Sequence, residues 1–85
     1  MKLKNGKYIR AVERPLAPGK ITAQYAVEST YDTSYLGEIK WYGPWRGYAF
    51  YPYIDCVFEP KCLNTICEWI AELNQAHREA KRSNT

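Results

Sequence analysis

The chain has 85 residues, a length that suits one domain with a single modest core and excludes a separate catalytic lobe. Aromatic residues make up 15% of it, and twelve lysines and arginines against nine aspartates and glutamates give a net charge of +3. No stretch approaches the ~20 apolar residues that a membrane-spanning helix needs, so we expect no membrane partner.

The N-terminal segment is strongly basic. Residues 1–20 carry six lysines and arginines against one glutamate, a net charge of +5, whereas residues 21–60 carry two basic and five acidic residues, a net charge of −3. Pro15, Pro18 and Gly19 interrupt any regular element before residue 20. We therefore assign residues 1–19 to a basic, partly ordered arm, with a short fourth strand over residues 7–12 as an option.

Three strands are predicted after the arm. Apolar and polar residues alternate over residues 20–29, which indicates a strand with one buried face. Residues 35–42 and 46–52 alternate in the same way on either side of the Gly43-Pro44 turn, and they predict an antiparallel hairpin rich in aromatic pairs. On the first hairpin strand, we expect Trp41 to face the core.

A C-terminal helix is predicted over residues 61–81, and Pro60 suits its first position because proline lacks the N–H that would have no partner there. Its predicted apolar stripe, with Trp69 beside it, comprises Leu63, Ile66, Ile70, Leu73 and His77. The predicted fold is α+β, a three-stranded antiparallel β-meander packed on one long C-terminal α-helix. Residues 20–82 form this single domain, and residues 83–85 form a frayed tail.

The cysteines and the single histidine do not form a recognisable metal or catalytic motif. Cys62 and Cys67 are five residues apart, which places them about 140° apart around a helix, and Cys56 precedes the helix. No serine or cysteine pairs with His77 in a known nucleophile pattern. We therefore expect no metal, no cofactor and no enzymatic activity, and an intracellular protein with reduced thiols.

Two binding functions are open. A protein partner is favoured by aromatic residues beyond what a small two-layer fold can bury, since Trp, Tyr and Arg often anchor interfaces. Nucleic-acid binding is the alternative, and it would use the sheet and the basic arm, but the central region is acidic. A free sheet edge could also pair with a second copy of the chain. The residues proposed for nucleic acid are Lys4, Lys7, Arg10 and Lys20.

The block LGEIKWYGPWRGYAF, followed by CVFEPKCLNTICEWIAELN, resembles a group of small phage and prophage proteins. Their hairpin core reads LGxIKWYGxWRxYxF, and a C-terminal helix follows it. The resemblance implies a phage accessory protein in the cytoplasm of a bacterial host. It does not identify an activity. The matching positions are Leu36, Gly37, Ile39, Lys40, Trp41, Tyr42, Gly43, Trp45, Arg46, Tyr48, Phe50, Phe58, Cys62 and Leu63.

Together these observations predict a non-enzymatic phage-type protein that binds a host or phage macromolecule, with a protein as the favoured partner, and modulates or inhibits it. Aromatic anchors with flanking charge on the hairpin would supply the binding energy. The residues predicted to contact the partner are Lys40, Tyr42, Trp45 and Arg46.

Overall fold

The structure, a computed structural model that describes residues 2–83, contains one antiparallel sheet and one long helix. The sheet has the strand order β1-β2-β3-β4, in which each strand pairs with the next one along the chain. The predicted α+β class, with a meander and a C-terminal helix, is therefore confirmed. The elements are β1 (Ile9–Arg14), β2 (Gln24–Ser29), β3 (Tyr35–Tyr42), β4 (Gly47–Pro52) and α1 (Pro60–Ser83).

The optional fourth strand is present as β1, which pairs with β2 along its whole length. The sheet thus begins inside the segment 1–19 that the sequence assigns to an arm. Leu3, which precedes β1, is 2% exposed and belongs to the core. Of the predicted tail 83–85, Ser83 ends α1 and residues 84 and 85 lie outside the described residues.

The core lies between one face of the sheet and α1. The helix contributes Ile66, Trp69 and Leu73, each buried, whereas Leu63 is 46% exposed. The buried stripe of the helix is therefore rotated relative to the predicted one. Trp69 belongs to it, and its indole N–H donates to the carbonyl of Lys4 at 2.8 Å. The sheet and the N-terminal segment complete the core with Leu3, Ile9, Tyr25, Val27 and Ile39.

The sequence before the helix explains where α1 begins. Glu59 accepts two hydrogen bonds: its main-chain carbonyl accepts from the N–H of Leu63 at 3.1 Å, and its carboxylate accepts from the N–H of Cys62 at 2.6 Å. The first N–H groups of a helix have no partner within it, so these bonds stabilise the first turn, next to Pro60. These bonds therefore define the N-terminal end of α1, which follows β4 in the chain.

A side-chain hydrogen bond ties the hairpin to the helix. Asn74 accepts the main-chain N–H of Tyr48 at 2.8 Å. Because β4 is an edge strand, some of its N–H groups have no partner in the sheet, and Asn74 satisfies this one.

We expect Asn74→Ala to lower the free energy of unfolding by about 1–2 kcal/mol, since it leaves the N–H of Tyr48 without its acceptor. Asn64→Ala is the matched control, because Asn64 is an exposed asparagine on the same helix. Urea denaturation followed by circular dichroism measures both changes. An equal effect of the two substitutions would contradict the assigned role of Asn74.

Candidate protein-binding surface

Helix α1 covers one face of the sheet, and the opposite face, here called the open face, lies towards solvent. The strand registers align one row across it: Val12 pairs with Ala26, Ala26 with Glu38, and Glu38 with Tyr51. Ala26 is buried beneath its neighbours and Val12 is half-exposed. Side chains on one face of a strand alternate with those on the other, so Lys40 and Tyr42 share the open face with Glu38.

Three aromatic rings form a continuous ridge on the open face. The ring centroid of Tyr42 lies 4.7 Å from that of Trp45 and 6.4 Å from that of Tyr51, and both contacts are edge-to-face. Trp45 is 77% exposed. Edge-to-face aromatic pairs are attractive beyond their buried area, so the ridge holds the exposed indole in a preferred position.

Charged side chains flank this ridge. The ammonium nitrogen of Lys40 lies 4.5 Å from the ring centroid of Tyr51 and 3.3 Å from a carboxylate oxygen of Glu38. The lysine is thus held by a cation–π contact and an ion pair at once. We call the set Glu38, Lys40, Tyr42, Trp45 and Tyr51 the hairpin patch.

The hairpin turn sets the position of Trp45. Gly43–Trp45 form one turn of 3₁₀ helix, and Arg46 closes it in the left-handed region, with φ 51° and ψ 49°. The N–H of Arg46 donates to the carbonyl of Gly43 at 3.0 Å. This short turn places Trp45 beside the end of β3, where Tyr42 is, and leaves Arg46 exposed next to it.

The structure thus brings together three of the four residues predicted to contact a protein: Lys40, Tyr42 and Trp45. The fourth, Arg46, follows Trp45 in the turn. Sequence reasoning left Tyr51 out of the site. The alternation of side chains along β4 could have identified Tyr51, because it places Tyr51 on the face opposite Phe50. The β3–β4 register then pairs Tyr51 with Glu38.

The four residues of the nucleic-acid alternative lie in different surroundings. The carbonyl of Lys4 contacts Trp69, and the ammonium of Lys7 lies 5.3 Å from the ring centroid of Tyr8. Arg10 pairs with Glu28 on the open face at 3.1 Å. Lys20 lies beside the C-terminal half of α1, near His77.

Ionisable groups near the core favour the neutral form. Burial raises the pKa of Tyr25 to about 12, and the Glu13 carboxylate and Tyr48 act in the same direction. Burial also raises the pKa of the Cys62 thiol. Over residues 2–83, no three histidine, cysteine, aspartate or glutamate side chains converge in a way that could hold a metal ion.

No helix within residues 2–83 combines the length and the apolar character that a membrane crossing requires.

Among curated proteins, the chain is similar to an uncharacterised 9.3 kDa protein of Acholeplasma phage L2. It is 37% identical over 79 residues, which cover 93% of this chain and all of the relative. No protein-family model matches the chain. No solved structure matches it either.

Proposed function

Because the chain belongs to the same family of small phage proteins as the 9.3 kDa protein of Acholeplasma phage L2, we propose that it is a non-enzymatic phage accessory protein that binds a host or phage protein. The hairpin patch and the neighbouring Arg46 make the contact. Binding covers a surface of the partner and so modulates or inhibits it.

The exposed tryptophan is the observation that carries this proposal. Trp45 is 77% exposed although tryptophan has the largest side chain, and it contacts Tyr42 edge-to-face instead of packing into the core. Tryptophan, tyrosine and arginine are the residues on which binding energy concentrates in protein interfaces. A ring already held by its neighbours loses little freedom on binding, which favours its use as an anchor.

The charge pattern favours a protein over a nucleic acid. On the open face, Arg10 pairs with Glu28 and Lys40 pairs with Glu38, so these two cations already have a carboxylate partner, while Arg14 and Arg46 remain exposed. Binding to the phosphate backbone depends on lysine and arginine charge that is available to replace counterions. Alternating charge around an aromatic centre instead suits the polar rim of a protein interface.

The available area is also compatible with a protein partner. A standard interface takes roughly 800 Å² from each side, about an eighth of the 6304 Å² accessible surface of the chain. The hairpin patch is continuous with the rest of the open face through the row that ends at Val12. We therefore expect the hairpin patch to form the centre of the interface and the surrounding open face to form its periphery.

A comparison of three baits tests the proposal. Affinity-tagged wild type, Trp45→Ala and Tyr31→Ala are each incubated with a bacterial lysate, once with and once without nuclease treatment, and the retained proteins are identified. Tyr31 is the matched control, because it is an aromatic residue that is 95% exposed and lies before β3, at the end of that strand away from the hairpin turn.

We expect the wild type and Tyr31→Ala to retain the same protein and Trp45→Ala to lose it. Equal retention by all three baits would contradict the assigned surface. Retention that occurs only without nuclease would contradict the protein partner and support the nucleic-acid alternative.

A further inference from the structure

A concave surface lies at the end of the molecule where α1 terminates. It is an open cleft of about 390 Å³ between the β1–β2 connection and the C-terminal half of α1. Trp41 contributes to it from β3, on the face opposite Lys40 and Tyr42. The cleft is therefore separate from the hairpin patch.

Aromatic rings form one wall of the cleft. The ring centroids of Trp41 and His77 lie 4.4 Å apart with an angle of 40° between the rings. Tyr48 holds both rings from the side, at 5.4 Å from Trp41 and 6.5 Å from His77. These contacts hold the two rings tilted against each other along a cleft whose other side presents Ile21, which is 90% exposed.

The loop over residues 19–23, which forms the other side of the cleft, is held by hydrogen bonds at two points. The N–H of Ala23 donates to the hydroxyl oxygen of Tyr48 at 3.2 Å. The N–H of Lys20 donates to the carbonyl of Ala17 at 3.0 Å, and Gly19 has a φ of +85°, a conformation that glycine adopts without strain. Lys20 and Ile21 are thus presented to the cleft by an ordered turn.

The charge in the cleft has one sign. Lys20 lines it from the loop and Lys81 from the last turns of α1. Among the described residues, no aspartate or glutamate lines it, and neither lysine forms a salt bridge there. The end of the helix carries a partial negative charge of about 0.5, which the two lysine charges outweigh. The cleft is therefore complementary to an anion.

We infer that this cleft binds a small anion with a planar aromatic body, the chemistry of a nucleoside monophosphate. The base packs against the wall formed by Trp41 and His77, with Ile21 covering its other side. The phosphate lies between Lys20 and Lys81. Base–aromatic stacking and lysine–phosphate contact are the two interactions through which proteins hold single nucleotides, and the volume falls within the usual range of small-ligand sites.

Calorimetric titration with AMP tests this inference, with adenosine and inorganic phosphate as separate probes. The variant K20E/K81E reverses both charges of the cleft. The matched control K2E/K61E makes the same change in net charge at two exposed lysines that do not line it. Melting curves of both variants establish that they fold.

We expect one saturable AMP site that weakens at least about tenfold in K20E/K81E and much less in K2E/K61E. Adenosine and phosphate are each expected to bind at least about tenfold more weakly than AMP. Absence of saturable AMP binding, an equal loss in the two variants, or phosphate binding as tight as AMP binding would overturn the inference.

NMR of the wild-type protein provides a readout that does not depend on any variant. Addition of AMP is expected to shift the indole N–H signal of Trp41 and the ring signals of His77, and to leave the indole signal of Trp45 unchanged. Shifts centred on Trp45 would place AMP on the hairpin patch and overturn the assignment to the cleft.

Discussion

Replacing Gly37 by alanine is expected to lower the free energy of unfolding by about 3 kcal/mol. A Cβ at this position would lie 2.6 Å from the carbonyl oxygen of Tyr51 and 2.7 Å from two ring carbons of Phe50. Both neighbours are fixed, since β4 is paired with β3 and Phe50 packs on the core. The backbone also has a φ of +156°, which side-chain-bearing residues rarely adopt.

Gly43→Ala provides the matched control. It makes the same chemical change in the same hairpin, but a Cβ at Gly43 meets no atom within 4 Å. We expect its free energy of unfolding to stay within about 0.5 kcal/mol of the wild type. Urea denaturation of the three proteins measures the difference. Similar stability of Gly37→Ala and Gly43→Ala would contradict the close approach of β4 to Gly37.

The second large effect is expected for Trp69→Ala, a loss of about 4 kcal/mol in the free energy of unfolding. The indole of Trp69 is 2% exposed, lies at the centre of the helix face in the core and donates a hydrogen bond to the carbonyl of Lys4. Truncation therefore removes buried apolar surface and leaves the part-buried carbonyl of Lys4 without its donor.

Trp45→Ala is the matched comparison for the core tryptophan. With its indole mostly in solvent, we expect a change in the free energy of unfolding of no more than about 0.5 kcal/mol. Chemical denaturation of both variants, followed by circular dichroism, measures the contrast. A loss for Trp45→Ala as large as that for Trp69→Ala would make Trp45 a structural residue and remove it from the candidate surface.

The hairpin could be predicted from sequence because its signals are local. Alternation over residues 35–42 and 46–52 with a Gly-Pro turn between them determines both strands, and it places Lys40 and Tyr42 on one face. The exposed position of Trp45 also follows from the turn. Sequence reasoning therefore found most of the hairpin patch without tertiary information.

The rotation of α1 could not be predicted in the same way. Helical periodicity places Leu63 and Trp69 about 120° apart around the helix axis, but it does not say which of the two faces the sheet. The hydrogen bond from Trp69 to Lys4 joins residues 65 positions apart and belongs to the tertiary structure. Leu63 is left exposed, and Cys62 packs on the core in its place.

The cleft depends on tertiary structure to an even greater degree. The proline-rich segment before Lys20 predicts only a loop, and His77 reads as one more residue on a helical face. The two come together because Tyr48 anchors Ala23 from 25 residues away and Trp41 stacks on His77. The position of Tyr51 in the hairpin patch could not be predicted for a different reason. Its contact with Lys40 depends on the register between β3 and β4, which the sequence pattern alone does not give.

The dissociation constant of the purified partner for the wild type, Trp45→Ala and Tyr31→Ala is the most direct test of the hairpin patch as the binding surface. We predict a loss of affinity of at least about thirtyfold for Trp45→Ala, the value of an interface anchor worth about 2 kcal/mol, with an unchanged melting temperature. Tyr31→Ala should bind as the wild type does. Unchanged affinity of a folded Trp45→Ala protein would contradict this assignment.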